Sequence, residues 1–156
     1  MSAILPHDKA LDFILAGNCT FTAKNSETGN RFTYNIKKHK TNDVWFVSVL
    51  GGANNETDYF FFGSINKDGR YSFSEKKSKI GKDTKSVITF NYIFNRLISN
   101  SLSELVEIWH EGKCGKCGHK LTVPDSLQTG IGPECSKRIV SKEQMRENAI
   151  NNLLYK

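Results

Sequence analysis

Two cysteines separated by two residues lie in a glycine-rich stretch, His110-Glu111-Gly112-Lys113-Cys114-Gly115-Lys116-Cys117-Gly118. A third closes Gly130-Ile131-Gly132-Pro133-Glu134-Cys135, after 17 intervening residues. Zinc takes four ligands in a tetrahedron, and thiolates with imidazole suit it best. The Cys114 and Cys117 spacing lets both sulfurs turn toward one ion. Gly115 and Gly118 permit the tight backbone this needs. Pro133 favours a first helical turn, where the anionic thiolate of Cys135 sits well at the positive helix end. A knuckle on a hairpin with a third ligand at a helix start is the logic of a treble clef. His110, four residues before Cys114 on the incoming strand, is the first choice for the fourth ligand. His119 and Cys19 stand as alternatives. The expected site is one structural zinc held by His110, Cys114, Cys117 and Cys135.

A closed site of three thiolates and an imidazole leaves no open coordination position, so it is structural rather than catalytic. Glu111 as general base of an open zinc site is the competing reading, and it would need one ligand replaced by water. No Ser/His/Asp or Cys/His constellation remains once the cysteines are assigned. The glycines at 112–118 match neither a phosphate loop nor a dinucleotide fingerprint. No enzyme is expected.

Chemistry of a different kind is offered by the lysines. Lys37, Lys38 and Lys40 flank His39, and Lys76, Lys77, Lys79, Lys82 and Lys85 crowd a polar stretch. Aromatic residues interleave with them: Phe21, Phe32, Tyr34, Trp45, Phe46, Tyr59, Phe60, Phe61, Phe62, Tyr71 and Phe73. Aromatic rings stack on bases while lysines neutralise phosphates. Most of these rings are expected in the core, because large apolar side chains are usually buried. Tyr34, Tyr59 and Tyr71 are the expected exposed ones. Charge supports the same partner class. Residues 19–100 hold 13 basic and 7 acidic side chains, which accounts for the whole net charge of +6. The sequence pI is about 9.1. Concentrated positive charge favours anionic partners such as DNA or RNA.

The elements that position these residues follow from periodicity. Residues 5–16 carry apolar Leu11, Ile14 and Leu15, with Pro6 at the start and Gly17 past the end, and read as a short amphipathic helix. From residue 19 to 73 the period becomes two. Turn signals at 25–30, 51–55 and Asp68-Gly69 divide it into a meander of about five antiparallel strands. The third and fourth strands, 44–50 and 59–65, are near-continuous apolar runs and are expected at the centre, buried on both faces. Asp83 or Thr84 caps a helix reaching about Ser99, with Val87, Phe90, Phe94, Leu97 and Ile98 at helical spacing. Residues 101–105 read as a turn and 106–109 as a strand. Ser141-Lys142-Glu143-Gln144 is a capping box that opens a last helix. The predicted fold is α+β. An antiparallel sheet with flanking helices spans 1–100, and a zinc module with a C-terminal helix spans 101–156.

At 156 residues and 17.6 kDa, the chain is long enough to bury a core without disulfides. No apolar run approaches a membrane span, and no signal peptide is visible. A cytoplasmic protein, with no membrane partner and with cysteines serving a metal, is expected.

The segment 109–127, followed by 130–135, resembles a small zinc-binding domain of unknown function found in bacteriophages, prophages and plasmids. Its hallmarks are the Cys-Gly-x-Cys-Gly knuckle and a terminal Gly-Ile-Gly-Pro-Glu-Cys. Residues 44–51 and Asp58-Tyr59 resemble the strand region of the same phage proteins. His119 departs from the pattern, which usually carries Arg or Lys there. The resemblance implies a phage or mobile-element origin, hence the host cytoplasm, and implies no reaction. The expected function is a small accessory protein that binds nucleic acid through its basic surface. The alternative is a non-enzymatic inhibitor of a host protein complex, such as a bacterial defence complex (anti-CRISPR-like).

Overall fold

A computed structural model describes residues 3–51, 58–115 and 129–131. Seven strands and two helices are laid out along them. They are β1 (Ala3–Leu5), α1 (His7–Ile14), β2 (Asn18–Asn25), β3 (Arg31–Lys38), β4 (Val44–Leu50), β5 (Tyr59–Asn66), β6 (Tyr71–Phe73), α2 (Lys85–Ile98) and β7 (Val106–His110). All strands form one antiparallel sheet in the order β1-β7-β2-β3-β4-β5-β6. The architecture is α+β. Among the described residues no helix is long and apolar enough to cross a membrane.

The meander β2 to β6 is consecutive in sequence and in space, as alternation and turn residues predict. Two features differ from expectation. Leu5 leaves the predicted first helix, and residues 3–5 instead form β1 and pair with β7, Ile4 against Trp109 and Leu5 against Ile108. Pro6 then starts α1, its carbonyl accepting from the N–H groups of Lys9 and Ala10. Three residues are too few to show a period. The second difference is the centre of the sheet. With β7 and β1 added beside β2, the middle strand is β3 rather than β4 or β5. β4 also alternates in burial instead of being covered on both faces, and Phe46 and Phe60 are each 39% exposed. Residues 106–110, read with the second segment of the chain, are hydrogen-bonded between β1 and β2.

Both helices pack on one face of the sheet. The side chains of that inner face follow from the period of two: Cys19, Phe21 and Ala23, then Tyr34 and Ile36, then Trp45, Val47 and Val49. Between Val47 and Ser48 the register shifts, so that Phe62 joins this set. Gly63 lies beside it, where a Cβ would stand 2.6 Å from the carbonyl oxygen of Ser72. From α2, Val87, Phe90, Phe94 and Leu97 complete the core at helical spacing. Phe90 meets Tyr34, Phe62 and Tyr71 at centroid distances of 5.2, 5.8 and 5.1 Å. The polar tips of two large rings are also satisfied. Tyr34 donates to the carbonyl of Ser86 at 2.6 Å, and Trp45 Nε1 donates to that of Leu15 at 3.0 Å.

Asn100 ends α2 in the left-handed region, with φ 56°. The N–H of Ser101 then bonds back to Arg96 and that of Asn100 to Leu97, a cap suited to Asn.

Candidate nucleic-acid interface and metal centre

The strand alternation that fills the core aims the intervening residues at the opposite, open face, where no helix lies among the described residues. That face is built of small polar groups at the middle strands. Thr22 and Thr33 join hydroxyls at 2.7 Å, and Asn35 Nδ2 donates to the Cys19 carbonyl at 3.0 Å and to Thr20 Oγ1 at 3.1 Å. Tyr59, from β5, brings its hydroxyl near Thr20 and Glu111 although β3 and β4 intervene. Burial pushes the Tyr59 phenol up, the Glu111 carboxylate adds to the rise, and Thr20 opposes it. Its hydroxyl is buried, with no hydrogen-bond partner among the described residues.

Toward the β3–β4 turn the open face becomes aromatic and basic. Phe46 stands directly across from Lys37. It meets Phe61 at 6.1 Å and His39 at 6.0 Å, both edge-on. Lys37, Lys40 and Lys67 are exposed around it, with Lys67 in the turn beside Val44, which pairs with Asn66. His39 lies in a solvated turn, and its Nδ1 accepts from the N–H groups of Thr41 and Asn42, each at 3.2 Å. Lys38 is otherwise engaged. Its Nζ lies 3.1 Å from Asp43 and 5.4 Å from the Trp45 ring centroid.

The other five lysines lie at the opposite end of the sheet. The segment between β6 and α2 folds back on β5, Ser74 bonding to Phe62 and Lys79 to Phe61. Lys76, Lys77, Lys79, Lys82 and Lys85 are all exposed there, with Lys82 3.9 Å from Glu75. About 20 Å of strand, six residues at ~3.3 Å each, separates the two groups. The two lysine groups of the sequence are thus two separate patches.

The expected exposed tyrosines need correction. Tyr34 is fully buried and Tyr71 packs beneath α2. Burial raises both phenols, Tyr71 to about 12. Both residues fall on the inner register, and a ring beneath a helix is buried whatever its polar tip. Phe46, Phe60 and Tyr92 are the exposed rings instead.

The end of the sheet that carries Lys37 also carries His110 and Cys114. His110 is the last residue of β7 and is completely buried opposite Phe21. Cys114 is 2% exposed. Their surroundings are organised by Phe13, a residue the sequence marks only as part of an apolar stripe. Its ring lies 5.6 Å from that of His110. It also fills the space where Gly115 would carry a side chain, 2.6 Å from an added Cβ, and the equivalent space at Gly130. The backbone closes this corner. Asn18 N–H donates to Gly115 at 2.7 Å, and Gly115 N–H donates to Gly130 at 2.7 Å. Gly130 has φ +73°, a conformation that favours glycine. Glycines at 115 and 130 are therefore fixed by the approach of Phe13.

Among the described residues no three His, Cys, Asp or Glu side chains come together as a metal-holding group. Cys19 is thus not assembled with His110 and Cys114. It donates to the Ile14 carbonyl at 3.6 Å, and burial pushes its thiol far up. It is a protonated strand cysteine. Cys117, His119 and Cys135 lie outside the described residues, as does the capping box at Ser141. The donor chemistry at His110 and Cys114 suits zinc, with one condition. His110 Nδ1 accepts the Gly112 N–H at 2.9 Å. A neutral ring so held carries its proton on Nε2. Ligation through Nε2 would reverse the tautomer and set two donors against each other. Ligation through Nδ1 would take the lone pair from Gly112.

Residues 109–140 match a family of unknown function (DUF6011). No curated protein and no solved structure matches the chain.

Proposed function

We propose that this is a non-enzymatic nucleic-acid-binding protein of phage or mobile-element origin, acting in the cytoplasm of a host cell. The single observation that carries the reading is the open sheet face at the β3–β4 end. There Phe46 is exposed directly opposite Lys37, with Lys40 and Lys67 around it. A ring available for stacking within a rim of ammonium groups is the arrangement that holds single-stranded DNA or RNA. Lys76, Lys77, Lys79, Lys82 and Lys85 form a second patch that adds long-range attraction for the same polyanion. Lys38, held by Asp43 and Trp45, supports the turn and adds charge.

One structural zinc, held by Cys114, Cys117 and Cys135 with His110 as fourth ligand, orders the treble-clef-like tail beside the first patch. His119 is the alternative ligand, and the Gly112 hydrogen bond to His110 is the observation that favours it. Zinc bound there supplies cross-linking of the tail and no chemistry.

A gel shift with labelled single-stranded DNA and RNA at two salt concentrations tests the binding. Affinity falling steeply with salt is expected. No shift of either probe at low salt overturns the reading. Metal analysis of His110→Ala, His119→Ala and Cys19→Ala tests the site. Zinc is expected to be lost from the first and kept in the third. Loss in the His119 variant alone reassigns the ligand.

A further inference from the structure

A groove of about 520 Å³ runs between α2 and the β2–β3 end of the sheet. It lies on the helical side, and Lys24 is the lining residue that comes from the open-face register of β2. Its walls include Phe32, Ile88, Tyr92, Ile93 and Val106, with Lys85 at one end. Ile88 is 55% exposed and Tyr92 44%, and Leu105, 45% exposed, directly precedes the lining residue Val106. Half of the large exposed hydrophobic side chains of the described residues thus gather around one groove. Scattered apolar side chains on a surface need no explanation, but a cluster lining a concavity does.

Charge along the groove has a pattern. Lys85, Ile88, Thr89 and Tyr92 line the groove from one face of α2, and Arg96 continues that face one turn beyond Tyr92. Lys24 adds a cation from β2, and Lys85 and Arg96 stand about 16 Å apart along the helix, with apolar side chains between them. None of the described residues lining the groove is acidic. Arg96 lies over the Tyr92 ring, 5.3 Å from its centroid.

From this pattern we infer that the α2 groove docks a short apolar segment of a partner protein whose ends carry carboxylates. The apolar walls fit side chains of Leu or Ile size. Lys85 and Arg96 complement the two acidic ends, which stand about 11 residues apart in a helix or about five in a strand. Nucleic acid is the poorer fit. Ile88, Ile93 and Val106 offer no flat ring for a base, and Arg96 already covers Tyr92.

Panning a display library of random 12-residue peptides against the whole protein tests this, with the Ile88→Asp variant as the counter-selection. The best peptide is then measured by fluorescence polarisation. Enriched sequences should pair an apolar centre with flanking Asp or Glu. Their affinity should drop about tenfold or more in Tyr92→Ala and in Lys85→Glu/Arg96→Glu, the loss typical of a central contact. All these side chains are exposed, and an unchanged melting temperature verifies that each variant is folded. Phe46→Ala should leave peptide affinity unchanged, so failure here is separate from failure of the nucleic-acid reading. The inference is overturned if no peptide is enriched over the counter-selection, if the enriched peptides lack acidic flanks, or if they bind the charge-reversed variant equally well. It is also overturned if a dT15 oligonucleotide displaces the peptide and loses affinity in Ile88→Asp, which would make the groove part of a nucleic-acid path.

Discussion

The two faces of the sheet use the same residue types to opposite ends. On the inner face Tyr34, Phe62 and Tyr71 form one aromatic mesh with Phe90 of α2, with centroids 5.1–6.2 Å apart. On the open face Phe46 and Phe61 meet at 6.1 Å, yet Phe46 remains 39% exposed beside Lys37. Ring identity does not separate the two sets. Register does, because one step along a strand moves a side chain to the other face. The comparison teaches that aromatic content alone says little about binding, and that the aromatic on the uncovered register is the one available to a ligand.

Substitution of one ring on each face would break that comparison most sharply. Phe90→Ala is expected to lower stability by about 3–5 kcal/mol, as large core truncations do. Phe46→Ala should stay within about 1 kcal/mol. Chemical denaturation of both variants is the check, and equal losses would mean that the open face is part of the core.

The Phe13 corner should come next in size. Phe13→Leu keeps an apolar side chain but vacates part of the space against His110, Gly115 and Gly130. A loss of about 1–3 kcal/mol is expected, together with faster release of the proposed zinc to a chromogenic chelator. A variant equally stable that releases metal at the wild-type rate would separate Phe13 from the metal end.

Alkaline pH sharpens the contrast from the inner side. Burial raises Tyr71 to about 12 from an ordinary 10.0, and Tyr34 is raised as well. Each is an acid whose neutral form the fold favours. The stability it lends is full below the unfolded value near 10 and is lost as pH rises through the folded value. Thermal midpoints should therefore hold level up to about pH 10 and fall between pH 10 and 12. Replacing both residues with Phe should flatten that fall. A wild-type midpoint insensitive to that window would show the phenols to be solvated.

Cys19 gives the smallest expected effect. Its raised thiol and its place against Ile14 predict that iodoacetamide leaves it unmodified in the native protein at neutral pH, because thiolate is the reactive form. Mass analysis after alkylation reads this directly, and rapid labelling at Cys19 would contradict the burial.

Much of this architecture was legible in the residues. Alternation and turn dipeptides mark β2 to β6, and 3.6-residue spacing marks α2 from Val87 to Leu97. What escaped did so for physical reasons. β1 is three residues long and is defined by pairing with β7, a contact about a hundred residues away. The tyrosines were misjudged because a hydroxyl suggests water, whereas Tyr34 finds the Ser86 carbonyl inside the core. The two lysine groups share one basic stretch of sequence, but β4 and β5 return the chain to the β3–β4 end and β6 then carries it away to the second group. For the proposed metal site, spacing nominates His110 and Cys114, while the role of Phe13 depends on packing that no local pattern records. The groove along α2 was equally invisible, since it exists only where the exposed stripe of the helix meets the sheet.

We propose that the uncovered aromatic and basic end of the sheet binds nucleic acid, and the affinity of a fluorescent dT20 oligonucleotide for three proteins across a salt series decides it: wild type, Phe46→Ala, and Lys76→Glu/Lys77→Glu. Removing the stacking ring should weaken binding by ~1–3 kcal/mol, the range for one base on an aromatic, with the salt slope unchanged. Reversing the distant lysines should chiefly lower that slope. Unaltered affinity in Phe46→Ala, with all binding lost in the lysine variant, would contradict the assignment and move the interface to the other end.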